Sequence, residues 1–202
     1  MVGHGRAAGA ADVCRVALAA TALRPTVAAA LADSEQATRR VRDALTGAGV
    51  SSHDSATSSV SVQAEEDYSG PRGPRLLGYR AEHSLEVALR DLTSAGRVLG
   101  DAVAAGGEAV RLRGVSFEVE DDAELRALAR AAAWADALSA GEQLARLAGG
   151  ALGTVRSIDE TPAGDGRGPR PMAARAVGVA EIGLQPGGVD VRTALAVVWE
   201  LR

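Results

Sequence analysis

The sequence contains no lysine, and all 22 of its basic residues are arginines. Lysine supplies the amine for Schiff-base and pyridoxal-phosphate chemistry, and it is the required cation of the P-loop motif. Kinase-type, P-loop and pyridoxal-phosphate functions are therefore excluded. With the abundance of alanine and glycine, the absence of lysine is typical of a high-GC bacterial genome.

Aromatic residues are also scarce, at 2% of a chain of 202 residues that is 47% hydrophobic. The core must therefore be built from small aliphatic side chains, which favours helices packed closely on sheets. Deep small-molecule pockets usually recruit aromatic side chains, so the composition argues mildly against one.

Cysteine and histidine residues are few, and they do not occur at the spacings of known metal-binding motifs. The one cysteine, Cys14, lies in an alternating apolar stretch and is expected to be a small buried hydrophobic residue. The three histidines, His4, His53 and His83, form no H-x-x-x-H or H-E-x-x-H motif. We predict no catalytic residue, no metal site and no cofactor.

The net charge of −4 and the lack of a basic tract exclude nucleic acid as an expected partner. No apolar run approaches the roughly 20 residues of a membrane span, and no signal-like segment opens the chain. As given, the protein is expected to be cytoplasmic. If the N-terminus has been trimmed, a periplasmic or extracellular location is expected instead.

The stretch GYRAEHSLEVALRD at 78–91 alternates between apolar and polar residues, which is typical of a half-buried β-strand. His83 lies in the apolar row, four residues after Tyr79. It could be a hydrogen-bonded structural residue, part of a ligand site that includes Tyr79, or a catalytic base. The structural interpretation is favoured because the sequence shows neither a G-x-S-x-G motif nor a legible Ser–His–Asp set.

Periodicity predicts an α+β fold in the order β-β-α-β-β-α-β-α-β-β, with antiparallel or mixed sheets and helices packed on one face. We expect one domain over 1–202, with approximate lobes at 1–75 and 76–202 and strands shared between them. Helices are predicted from Thr26, as N-cap, to about 47, and over 92–105 and 122–148. Strands are predicted near 2–5, 12–23, 60–63, 78–91, 109–120 with a bulge at Gly114, 152–160, 177–185 and 189–201. A cationic loop is predicted over 161–175, mobile and able to contact a partner or a neighbouring subunit.

The longest predicted helix carries a candidate contact residue, Trp134. Its expected buried stripe comprises Leu125, Leu128, Ala132, Ala135, Leu138, Glu142 and Ala145. Trp134 lies off that stripe, where it would cover the helix–sheet edge or form an oligomer contact.

The order of elements and several motifs resemble the SIMPL-domain family, which includes the YggE-like and periplasmic immunogenic proteins. The likeness is strongest in DALSAGEQLARLAGGALGTVRSIDE at 136–160, and it extends to YRAEHSLEVALRD at 79–91 and GVSFEV at 114–119. The chain departs from the family pattern at Ala11, where a proline is usual, and at His83, where asparagine is common. Many relatives also carry an export signal, and none is visible here.

The resemblance implies a two-lobed α+β fold, a tendency to form oligomers, and loose links to envelope biology and stress defence. It implies no established catalytic residue. We therefore expect a non-enzymatic protein that acts by self-assembly or by contacting an unidentified protein partner. The alternatives are a small-ligand-binding protein with a site between the lobes near His83 and Tyr79, and an uncharacterised hydrolase.

Overall fold

A computed structural model describes residues 1–69, 73–162 and 183–202. The described elements follow the predicted order, and the α+β class is confirmed. The strands are β1 (Val2–Ala10), β2 (Val13–Arg24), β3 (Ser55–Asp67), β4 (Arg75–Leu89), β5 (Val110–Glu118), β6 (Leu152–Pro162) and β7 (Gly188–Leu201). The helices are α1 (Val27–Gly47), α2 (Ala95–Gly106) and α3 (Ala123–Leu147). Within the described ranges, no helix combines the length and the apolar character that crossing a bilayer requires.

The chain folds into two compact units. The described part of unit 1 comprises residues 1–11, 119–162 and 187–202, and that of unit 2 comprises 12–69, 73–118 and 183–186. These boundaries differ from the approximate lobes 1–75 and 76–202, because β1 pairs with β7 near the other end of the chain. A pairing between two strands so far apart in the chain cannot be recognised from the order of neighbouring elements.

Unit 1 is a three-stranded antiparallel sheet in the order β1-β7-β6, with α3 packed against β1 and β7. The helix approaches β1 very closely. A Cβ added at Gly5 would lie 1.9 Å from the backbone oxygen of Ala129, and one at Gly3 would lie 2.1 Å from that of Ala133. Glycine at these positions is therefore required by the packing itself.

The buried face of α3 differs from the predicted stripe. It is built of small residues four apart: Ala129, Ala133, Ala137, Gly141 and Ala145. Of the predicted stripe only Ala145 is fully buried, and Leu128, Ala132, Ala135 and Glu142 are exposed. The prediction was wrong because it followed the large leucines, whereas a helix lying against glycines admits only small side chains at the contact.

Unit 2 is a four-stranded antiparallel sheet in the order β3-β4-β2-β5, with α1 and α2 packed beside each other. Its core joins inward side chains of β2 and β4 to those of the two helices. The largest fully buried members include Leu18, Val41, Leu45, Val87 and Leu99. The alternation predicted for β4 is confirmed: Ala81, His83, Leu85, Val87 and Leu89 are buried, and Tyr79 is half-buried.

Two local features predicted for unit 2 are confirmed. Thr26 caps α1, where its hydroxyl accepts a hydrogen bond from the Ala29 amide at 3.2 Å. The register between β2 and β5 shifts beside Gly114, as expected of a bulge there.

The predicted bounds of other elements need correction. Helix α2 begins at Ala95 and not at 92, because Asp91 first closes a turn by accepting bonds from Thr93 and Ser94. Strand β3 also begins earlier than the predicted 60, since backbone pairing with β4 extends through its Ser/Thr-rich start. Most of the predicted loop 161–175 and strand 177–185 lies outside the described residues.

Candidate functional site

In unit 2 a polar group made of His83, Ser34 and Glu35 connects strand β4 to helix α1. Helix α1 places Ser34 in its buried stripe, between Ala30 and Ala37. The inward row of β4 places His83 opposite that helix, and its neighbours Ala81 and Leu85 are apolar. An imidazole in such a row must find its hydrogen-bond partners on the helix.

Both ring nitrogens of His83 find partners. Nδ1 lies 2.9 Å from Oγ of Ser34, and Nε2 lies 3.3 Å from Oε2 of Glu35. The Ser34 hydroxyl donates to the Leu31 carbonyl at 3.0 Å, so its oxygen is left to accept from Nδ1–H. In its doubly protonated form the ring donates to both side chains, and the contact with Glu35 is then an ion pair.

The surroundings hold this group in place. The hydroxyl of Thr38 donates to the Ser34 carbonyl at 2.9 Å, and Nε of Arg39 donates to Oε1 of Glu35 at 3.1 Å. The second contact is an i,i+4 ion pair along α1. Glu35 thus connects the solvated face of α1, through Arg39, with the buried face, through His83.

The chemistry open to this group follows from its burial and its geometry. Ser34 is 0% exposed and its hydroxyl proton is used inside its own helix, so the hydroxyl is not presented to a substrate. The serine lies on Nδ1 and the carboxylate on Nε2, which reverses the arrangement in serine hydrolases. The group is organised as a bridge between helix and sheet.

The other sequence-derived candidates lie apart from this bridge. Tyr79 is on the same strand and row as His83, half-buried, opposite Arg24 on β2 and Ala64 on β3. Trp134 belongs to unit 1, where it packs on the small core of Leu195 and Val197. The ring centroids of Trp134 and Trp199 are 5.9 Å apart at 51°, so Trp134 covers the helix–sheet edge. Its role as an oligomer contact stays a prediction.

The sequence identifies His83 as an inward polar residue, but it does not identify Ser34 and Glu35 as its partners. A signal exists at Ser34, since a serine interrupts an otherwise apolar stripe that continues through Ala37, Val41 and Leu45. A polar residue in that position requires a partner across the helix–sheet boundary.

Among residues 1–69, 73–162 and 183–202, no group of three or more His, Cys, Asp or Glu side chains is arranged to hold a metal ion. Cys14 is fully buried in the core of unit 2, and burial raises the pKa of its thiol to about 11. The thiol is therefore protonated and poorly reactive in the folded protein.

Unit 1 carries an apolar cleft of ≈ 350 Å³ at the C-terminal end of α3. Helix residues Leu144 and Ala145 form one wall, and Leu152 and Trp199 of the sheet form the other. Four large apolar side chains that line it are exposed: Met1, Leu144, Val198 and Leu201. We call these four residues the apolar rim.

Comparison with known proteins agrees with the family that the sequence motifs indicated. The model of the SIMPL family, described as a protein of unknown function (DUF541), matches residues 1–199. The chain therefore belongs to the SIMPL family.

Two curated relatives are each named "26 kDa periplasmic immunogenic protein", one from Brucella melitensis and one from Brucella abortus. Each is 27% identical to this chain over 178 residues, which cover 85% of this chain and 68% of the relative. The resemblance inferred from the sequence is confirmed.

Proposed function

We propose that this chain is a non-enzymatic member of the SIMPL family that acts through protein–protein contacts, foremost self-assembly. The apolar rim of unit 1 carries the proposal. Leu144 is 50% exposed and Leu201 is 60% exposed, and both line the same cleft, one from α3 and the other from β7. Contiguous exposed aliphatic side chains are typical of surfaces that another protein covers.

The arrangement of the His83 group supports the same proposal over a hydrolase. A nucleophile must reach its substrate, and Ser34 would do so only if α1 separated from β4. Outside the His83 group, ion pairs such as that of Arg6 with Asp190 and that of Arg130 with Glu160 join exposed side chains. Such pairs are typical of solvated faces.

The test is the absolute mass in solution, measured by light scattering over a hundredfold range of concentration. We expect a mass above the 20.5 kDa of one chain. The double variant Leu144→Ser, Leu201→Ser should reduce it, and Leu128→Ser, which changes an exposed leucine outside the rim, should not. A wild type that stays monomeric, or an assembly that does not respond to the rim variant, would count against the rim.

The proposal also includes the cellular compartment in which the protein works. The Brucella relatives are named periplasmic, and we propose that this protein too works in the cell envelope, in a process linked to envelope integrity or stress defence. The burial of Cys14 is compatible with an oxidising compartment, because no exposed thiol among the described residues is available to form an incorrect disulfide. Fractionation of cells that express the native gene tests this: recovery with cytoplasmic markers alone would overturn it.

A small-ligand-binding function is the second candidate, and the His83–Glu35 contact favours it. Glu35 is a second ionisable group beside the ring and its side chain is 34% exposed, so a polar ligand could approach it from solvent. Thermal-shift screening of small polar compounds against the wild type and His83→Asn tests this candidate. A ligand that stabilises only the wild type would support it, and equal shifts in both proteins would oppose it.

A further inference from the structure

Strand β3 forms an open edge of the unit 2 sheet. It pairs with β4 on one side, and no described strand pairs with its other side. Most of its 13 residues are exposed, and Val60 is 51% exposed. Long open edges are usually blunted by proline, charged side chains or β-bulges, and in β3 the charges and irregularities lie toward its two ends, so that the central residues 59–64 (SVSVQA) carry none of them.

A regular segment of β3 remains available for pairing. Irregularities occur between Thr57 and Ser59 and again between Glu65 and Glu66, which leaves Ser59–Glu65 undistorted. In this segment Val60, Val62 and Ala64 share the face of His83 and α1, since they pair with the inward row of β4. Ser61 and Gln63 occupy the other face. The edge is therefore two-faced, with small apolar residues on one side and polar residues on the other.

We infer that β3 is a strand-addition site for β3 of a second copy of this chain, paired antiparallel about a twofold axis at Val62. This inference rests on the proposed function, because it names the surface and the partner of a self-contact. Backbone hydrogen bonds supply the affinity of such an added strand, and the side-chain pattern sets its register.

In the register centred on Val62, apolar residues face apolar residues and polar residues face polar residues. It sets Val62 against Val62 of the second copy and Val60 against Ala64 on the α1 face. On the other face it sets Ser61 against Gln63. A slip by one residue would oppose Val62 to Ser61 and would place apolar and polar side chains against each other.

The charges at the two ends of β3 complement each other in this register. Glu66 of one copy comes opposite Ser58 of the other, beside Thr57, and the guanidinium of Arg42 binds the Thr57 hydroxyl. Neither Arg42 nor Glu66 forms an ion pair with another residue in the described part of the chain. Thr57 and Glu66 are nine positions apart, about 30 Å along one strand, so Arg42 and Glu66 approach each other only between copies.

Charge reversal tests the pairing and its register. Arg42→Glu alone and Glu66→Arg alone each place like charges together at both ends of a twofold contact, and each should weaken the dimer about five- to tenfold. The double variant Arg42→Glu, Glu66→Arg restores opposite charges and should return the dimer to within about threefold of the wild type. Sedimentation velocity gives the dissociation constants, and circular dichroism confirms the fold of each variant.

Cysteine cross-linking gives a second readout that does not depend on charge. Residues opposed in antiparallel strands have Cα atoms about 4.5–5.5 Å apart, within the range of a disulfide. Val62→Cys should therefore form a covalent dimer under mild oxidation. Ser59→Cys is the matched control on the same strand, because its two copies would lie about 20 Å apart in this register.

The outcomes separate this inference from the proposed function. Restored association in the charge-swapped double variant, with cross-linking at 62 and not at 59, supports the β3 pairing. A wild type that assembles but ignores both charge reversals and cross-links equally at 59 and 62 overturns the β3 pairing and leaves self-assembly standing. A wild type that stays monomeric at every concentration overturns both.

Discussion

The imidazole Nε2 of His83 on strand β4 lies 3.3 Å from Oε2 of Glu35 on helix α1. Its other nitrogen lies 2.9 Å from the hydroxyl of Ser34 on the same helix. One side chain in an otherwise apolar row thus ties the sheet of unit 2 to its first helix. We expect its removal to lower the free energy of unfolding.

His83→Ala should lower the free energy of unfolding by about 1–3 kcal/mol, because it leaves the Ser34 hydroxyl oxygen without its ring partner and opens a small cavity. His83→Asn should cost less, since an amide can still donate to Ser34. Urea denaturation measures both. His53, on the surface, supplies the control: His53→Ala should stay within about 0.5 kcal/mol of the wild type. Equal values for the alanine variants at 53 and 83 would contradict the bridge.

Gly5 and Gly100 should respond to alanine in opposite directions. At Gly5 a Cβ would lie 1.9 Å from the Ala129 backbone oxygen, and a backbone cannot move aside cheaply, so Gly5→Ala should cost at least about 1–3 kcal/mol. Gly100 lies inside α2 with nothing within 4 Å of a Cβ, and Gly100→Ala should stabilise by about 0.5–1 kcal/mol. Thermal and urea unfolding test the pair, and a neutral Gly5→Ala would disprove the close approach of α3 to β1.

His83 on β4 and the buried face of α3 show which features could be predicted from the sequence and which could not. Alternation in β4 identifies His83 as an inward residue, because a period of two is a local property. Its partners Ser34 and Glu35 could not be identified in the same way, since which helix covers β4 is decided by tertiary packing. On α3 the leucines indicate the wrong face, because the buried stripe is selected by the glycines of β1, more than a hundred residues away.

Cys14 should resist thiol reagents in the folded protein. Burial raises its pKa to about 11, so the reactive thiolate is rare at pH 8 and the sulfur is also covered. Labelling by a disulfide reagent such as DTNB should be slow without denaturant and rapid in guanidinium chloride. Fast labelling of the native protein would show that the core around β2 opens readily.

Asp91 should titrate well below an ordinary aspartate. Hydrogen bonds from the hydroxyls of Ser94 and Thr93 lower its pKa to about 2. Because the folded-state pKa lies below the unfolded value of about 3.9, its contribution to stability is complete above pH 4 and is lost as the pH falls toward 2. NMR titration of the carboxyl measures the pKa directly. Asp91→Asn should remove this part of the acid dependence, and an ordinary pKa for Asp91 would contradict the turn geometry.

Self-assembly of this SIMPL chain is the central claim. Light scattering coupled to size exclusion, over a hundredfold range of concentration, tests that claim most directly. We predict a mass of at least twice the 20.5 kDa of one chain, falling when the apolar rim or the charges at the ends of β3 are changed. A mass of one chain at every concentration would contradict it.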